Sequence, residues 1–154
     1  MNGFTNLSHF TFDGNPLDSR DVGSCTSLTG PFSVDGNTGQ PNSPNLSYLN
    51  VSGCTGITDL SCLDNQLTEL DLTGLNNITG LYCSNNQLTK LDLRNGNNVN
   101  IYNFSAINNQ NLNCISVDDA TEATAKWTVG NGKIDANTMY RDDWVDWVWL
   151  DADC

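Results

Sequence analysis

The chain has 154 residues, 18 Asp+Glu against 6 Lys+Arg, and a formal net charge of −12. A single domain of that length can bury a core. Six basic residues cannot build the cationic stripe that phosphate backbones require, so nucleic acid is not expected as a partner; the same charge disfavours anionic membrane surfaces, and no membrane insertion is expected.

In chain order, residues 1–45 carry one short pattern twice. Phe10-Thr11-Phe12-Asp13-Gly14-Asn15 and Phe32-Ser33-Val34-Asp35-Gly36-Asn37 share the core F-x-[FV]-D-G-N. The stretch Cys25-Thr26-Ser27-Leu28-Thr29 also matches Cys54-Thr55-Gly56-Ile57-Thr58. Two irregular coils are expected here, with loops at 18–23 and 36–44, the second rich in Gly, Pro, Asn and Ser. The start, MNGFTNLSHF, has neither the basic n-region nor the apolar h-region of a signal peptide. It opens inside a strand-like segment. The expectation is either a piece of a longer secreted protein or a first coil covered by missing repeats or a neighbouring chain.

Residues 46–117 repeat with a 21-residue period. Leu46–Gln66 and Leu67–Gln87 align without a gap, and Leu88–Gln110 follows with two extra residues. Such a period marks a solenoid, whose coils bury their apolar sides only by stacking. Each unit has two halves. The first, L-x-x-L-x-L, is Leu46, Leu49, Val51, then Leu67, Leu70, Leu72, then Leu88, Leu91, Leu93. The second runs through Ile57, Leu60, Cys62, Asn65, then Ile78, Leu81, Cys83, Asn86, then Ile101, Phe104, Ala106, Asn109. Alternation of apolar and polar residues is the period of a strand with one buried face. The spacing therefore predicts two short parallel strands per coil, on opposite sides of a flattened right-handed tube. Asn65, Asn86 and Asn109 recur at the turn, where a buried amide can satisfy backbone groups of its own and the adjoining coil.

The motif L-T-x-L-D-L … L-x-C-S-N-N-Q-L resembles the 21-residue class of leucine-rich repeats found in secreted and cell-surface bacterial proteins. The match covers Leu46 to Val117. The resemblance implies a β-rich leucine-rich-repeat superhelix, a C-terminal cap, and a recognition or adhesion role. The tail Cys114-Ile115-Ser116-Val117-Asp118-Asp119, with Trp127-Thr128, Ile134-Asp135-Ala136 and Asp153-Cys154, is also similar to the tails of that group. The segment 144–149 departs from it.

Residues 118–154 leave the repeat and hold all four Trp: Trp127, Trp144, Trp147 and Trp149. A solenoid end exposes an apolar cross-section, so this segment is read as a cap. Residues 118–126 read as a short helix with acidic residues at its N-terminus.

Repeat register sorts the six cysteines. Cys62 and Cys83 fall on inward strand positions, and Cys25 and Cys54 on the turn; all four are expected as buried thiols. Cys114 instead aligns with Tyr48, Glu69 and Lys90, which point outward. A Cys114–Cys154 disulfide stapling the tail is therefore expected, implying an oxidising compartment. The competing pair is Cys25–Cys54.

No catalytic motif emerges. The one histidine, His9, lies in a degenerate coil, and neither a nucleophile elbow, a phosphate loop nor a zinc signature is present. No enzyme activity and no cofactor are expected. Asp118–Asp119 and Asp142–Asp143 read first as exposed acidic turns and second as Ca²⁺ ligands. Asp71 beside Asp92 reads as a solvated face, and Glu69 beside Lys90 as a cross-strand ion pair.

The outward faces differ. The L-x-L strands present Ser47, Tyr48, Asn50, Thr68, Glu69, Asp71, Thr89, Lys90 and Asp92. The L-x-C strands present Thr58, Asp59, Ser61, Thr79, Gly80, Tyr82, Tyr102, Asn103 and Ser105. Tyr with small hydroxyls and one charge is a recognition composition, although the same residues also form good strands. Thr58, Asp59, Ser61, Gly80, Tyr82, Tyr102, Asn103 and Ser105 are the candidate ligand-binding residues. The expected function is a non-enzymatic protein- or glycan-binding module, secreted or at the cell surface. The alternatives are a structural part of a virion or surface layer, and an accessory domain of a larger enzyme.

Overall fold

A computed structural model of the chain describes residues 10–11, 13, 19–21, 26–36 and 45–141. The strands are β1 (Phe10–Thr11), β2 (Ser19–Asp21), β3 (Thr29–Ser33), β4 (Tyr48–Asn50), β5 (Gly56–Ser61), β6 (Glu69–Asp71), β7 (Gly80–Tyr82), β8 (Lys90–Asp92), β9 (Asn103–Ser105), β10 (Cys114–Ser116) and β11 (Met139–Arg141). A seven-residue helix, α1 (Ala120–Lys126), precedes β11. Strands alternate between two sides of a coil. One sheet runs β1-β3-β5-β7-β9; the other side holds β2-β4 and β6-β8-β10-β11. Every pairing is parallel. The molecule is a β-solenoid of about 4 turns.

The repeat alignment reproduces the register. Leu70 pairs with Leu91 and Leu91 with Ile115 on one side. Leu60 pairs with Leu81 and Leu81 with Phe104 on the other. The two F-x-[FV]-D-G-N segments also stack as aligned, Phe10 against Phe32. The inward leucines and isoleucines form one buried cluster; each fully buried side chain contributes roughly 1.5–3 kcal/mol. The two extra residues of the third coil are taken up in a 3₁₀ turn, Asn98–Asn100, after Gly96 at φ +73°. Pairing on either side of that turn is undisturbed.

Two expectations need correction. Residues 19–21, expected in a loop, form β2 against β4, with Arg20 opposite Leu49. Backbone pairing rather than an apolar pattern makes this strand. The alignment of Leu28 with Ile57 also fails. Gly30 pairs with Ile57, and the register then shifts between Gly30 and Pro31 so that Phe32 meets Leu60. A bulge at Thr58 absorbs the difference. Cys25 itself, His9, Asp142, Asp143, Cys154 and the tryptophans at 144, 147 and 149 lie outside the described residues.

The turn asparagines do what their recurrence suggests. Leu67 N donates to Asn86 Oδ1 at 3.0 Å, while Asn86 Nδ2 donates to the carbonyls of Cys62, Cys83 and Ser84. Asn65 and Asn109 repeat the arrangement one coil either way, accepting from Leu46 N and Leu88 N. The residue before each adopts a left-handed backbone: Asp64 at φ 58°, Asn85 at 57° and Asn108 at 59°. Their side chains form a second ladder, Asn85 Nδ2 to Asp64 Oδ1 at 2.7 Å and Asn108 Nδ2 to Asn85 Oδ1 at 2.6 Å. Asn and Asp tolerate this conformation better than other residues with a side chain.

Beyond β10, Asp119 caps α1 by accepting from Glu122 N at 3.0 Å. Trp127 is 2 % exposed and stacks on Phe104 at a centroid distance of 4.5 Å. Its Nε1 donates to Ile101 O, and Tyr140 Oη donates to Trp127 O. Asp135 accepts from the backbone N–H of Asn108 and Asn109, ending the asparagine column.

Candidate functional site

Because the side-chain period of a strand is two, each coil sends one row of residues to each outer face, and parallel stacking sets equivalent rows about 4.8 Å apart. On the L-x-L side, rows from β4, β6, β8 and β10 line a groove of about 1050 Å³. Tyr48, 49 % exposed, marks one end. Glu69 and Lys90 occupy the middle, opposite one another in register, but no ion pair forms between them; among the described residues the ion pairs are Asp92–Arg94 and Glu122–Lys126. Extended backbone sets their direction outward, and each keeps its own solvation.

The lower row of this groove consists of turn acceptors. Asn50 Oδ1 takes Ser52 N, Asp71 Oδ1 takes Thr73 N, and Asp92 Oδ1 takes Arg94 N. Arg94 closes on Asp92 with Nε at 2.9 Å and Nη2 at 2.6 Å. These hydrogen bonds and the guanidinium charge hold the Asp92 carboxyl below its ordinary value. Cys114 lines the same groove in register with Lys90, at 8 % exposure.

On the L-x-C side, the eight candidate residues fall into two places. Asp59, Ser61 and Tyr82 line a second depression of about 360 Å³ with Pro31, Phe32, Ser33 and Leu63. Gly80 lies beneath its rim: a Cβ there would sit 2.2 Å from Asp59 Oδ1, so the missing side chain is what lets the carboxylate lie across the strand. Thr58 Oγ1 donates to Asp59 Oδ2 at 2.8 Å. Ser61 Oγ donates to Asp35 Oδ1 at 2.6 Å, and Leu63 N donates to the same oxygen. Burial pushes the Asp35 carboxyl up, against the pull of those two hydrogen bonds. Tyr102, Asn103 and Ser105 lie one rung further, on and before β9. Tyr102 is 69 % exposed, with the Lys126 ammonium 5.9 Å above its ring.

Sequence reasoning missed Pro31, Phe32, Ser33 and Leu63, because the register shift at Gly30/Pro31 has no signature in the repeat. It named Tyr48, Asn50, Glu69, Asp71, Lys90 and Asp92 as outward without joining them into a site; their column-wise recurrence was the signal to use.

Cys54, Cys62 and Cys83 are buried thiols, as their register predicts. Burial raises Cys62 well above the ordinary thiol value and pushes Cys83 up to about 12. Asp118 and Asp119, the alternative Ca²⁺ ligands, accept from Asn98 N and Glu122 N. Among the described residues, no group of three or more His, Cys, Asp or Glu is arranged to hold a metal ion, and no helix is long and apolar enough to cross a membrane. No protein-family model, curated protein or solved structure matches this chain.

Proposed function

We propose that the chain is a non-enzymatic binding module of a secreted or cell-surface bacterial protein, a right-handed leucine-rich-repeat solenoid that engages a protein or glycan in adhesion. The observation that carries this reading is the groove of about 1050 Å³ across β4, β6, β8 and β10. Along it Ser47, Thr68 and Thr89 recur at coil spacing, as do Asn50, Asp71 and Asp92, which suits an extended ligand with its own repeat. Staple formation between Cys114 and Cys154 belongs to the same reading, because it presupposes an oxidising compartment. Mass spectrometry of a non-reduced digest tests it: the expected peptide pair is Cys114–Cys154, and a Cys25–Cys54 pair or a free Cys154 thiol removes that support.

The functional test is a panel of surface glycans and surface proteins probed with the full chain and with Tyr48→Ala. The expected outcome is a bound member whose retention drops on that substitution. Retention unchanged by Tyr48→Ala, by Glu69→Ala and by Lys90→Ala takes the groove out of the account.

A further inference from the structure

Charge is distributed unevenly along the solenoid. From Asp21 to Thr89 the sequence contains no Lys, Arg or His, yet it carries Asp35, Asp59, Asp64, Glu69 and Asp71 as well as Asp21. The C-terminal coils pair two of their acids with cations of their own, Asp92 with Arg94 and Glu122 with Lys126. The coils built from β3, β5 and β7 have no such cations in their own sequence, and the depression on their L-x-C face lies wholly within the basic-free stretch.

That depression joins an apolar wall to a carboxylate. Pro31, Leu63 and Tyr82 supply the wall, over the buried Phe32, and Asp59 the charge. Asp59 has no cationic partner among the described residues. Thr58 Oγ1 engages Oδ2, and Oδ1 is held over Gly80, where any side chain would displace it. Asp35 adds negative potential behind the Ser61 hydroxyl. A wall that covers methylenes next to an oxygen that accepts one charged hydrogen bond is complementary to an alkylammonium.

We propose that this depression seats a lysine side chain of a partner polypeptide, its four-carbon stem against Pro31, Leu63 and Tyr82 and its ammonium on Asp59. A guanidinium is the poorer occupant. Its rigid fork favours two parallel oxygens, and Oδ2 is already committed to Thr58. The site faces away from the groove on the L-x-L side, so the two stand or fall separately.

The test is an NMR titration of the ¹⁵N-labelled full chain with the peptide acetyl-Gly-Lys-Gly-amide, to about 20 mM, a range that captures millimolar affinity. Parallel titrations use the norleucine peptide, the arginine peptide and CaCl₂. The expected result is a saturable shift of β5 and β7 amides by the lysine peptide, weakened by salt. Asp59→Asn is expected to weaken it roughly fivefold, the scale of an exposed ion pair. Gly80→Ala is expected to do the same, because the new Cβ displaces the carboxylate while leaving Asp59 in place; matching circular dichroism melts for both variants separate this from unfolding. Absence of any shift, equal shifts from the norleucine peptide, tighter binding of the arginine peptide, occupation by CaCl₂ at lower concentration than the lysine peptide, or indifference to Asp59→Asn each overturn the assignment.

Discussion

The two turns of each coil solve one problem in opposite ways. After the L-x-C strand the chain reverses around a buried Asn that bonds across coils: Asn86 reaches Leu67 in its own coil and Cys62 in the one before. After the L-x-L strand it reverses around a local Asx turn, Asp71 to Thr73 two residues on, and the cross-coil bonds that follow, Asn77 Nδ2 to Thr55 O and Asn95 Nδ2 to Leu75 O, do not recur at one repeat position. The first turn is covered, with Asn65, Asn86 and Asn109 all buried. The Asx turn of the second is exposed at Asp71, while Asn95 beyond the equivalent turn is buried. One edge of the tube is therefore held by a bond pattern that repeats in every coil, and the other by bonds that differ from coil to coil.

That contrast is open to direct attack. Asn86→Ala removes the acceptor for Leu67 N and the donor to three carbonyls; leaving buried groups unpaired makes the expected loss about 3 kcal/mol, read from urea unfolding. Next comes Asn85→Ala, which keeps the buried ladder but loses the bonds to Asp64 and Asn108 and leaves φ 57° to a residue that tolerates it less well than Asn. About 1 kcal/mol is expected, with Asn85→Gly recovering some of it. Asp71→Ala should cost about 0.5 kcal/mol or less, as a surface Asx turn. Equal losses for Asp71→Ala and Asn86→Ala in the same urea series would dissolve the distinction between the edges.

A pH series gives the smallest and most discriminating effect, because the two turns carry carboxyls shifted in opposite directions. Asp92 is lowered from 3.8 by Arg94, so its contribution is complete above 3.8 and is lost as pH falls below that value. The stability difference between the natural chain and Arg94→Ala is expected to shrink over that acid range. Asp35 is raised from 3.8 by burial, so its contribution is complete below 3.8 and declines as pH rises through the raised value. Asp35→Asn should gain on the natural chain over that interval. Both series are followed by chemical denaturation at closely spaced pH; slopes of the same sign in the two would break the assignment.

The middle of the molecule was legible because stacking makes every coil obey the same period. Leu70, Leu91 and Ile115 had to share a column, and the buried asparagines declared themselves by recurring at one position. Irregular features were not legible. β2 is held by its neighbour's backbone and has no apolar alternation of its own. The bulge at Thr58 comes from fitting a five-residue strand, with Gly30 at φ 78°, onto a six-residue one. The left-handed Asp64–Asn85–Asn108 ladder was hidden in plain composition, since an Asn in a turn does not announce which φ it adopts. For the candidate site, outward direction could be read residue by residue, but concavity could not. It depends on how neighbouring rows differ in size, such as Gly80 between Asp59 and Asn103.

Cys62 and Cys83 sit one above the other on the inner wall, wholly shielded, with thiols that ionise far from neutral pH. Alkylating reagents attack the thiolate, so neither sulfur reacts while its coil is closed. Each becomes a clock for the opening of one rung. If the coils separate singly, as nearest-neighbour stacking permits, the two sulfurs are labelled at different rates. If the tube opens as a unit, they are labelled together.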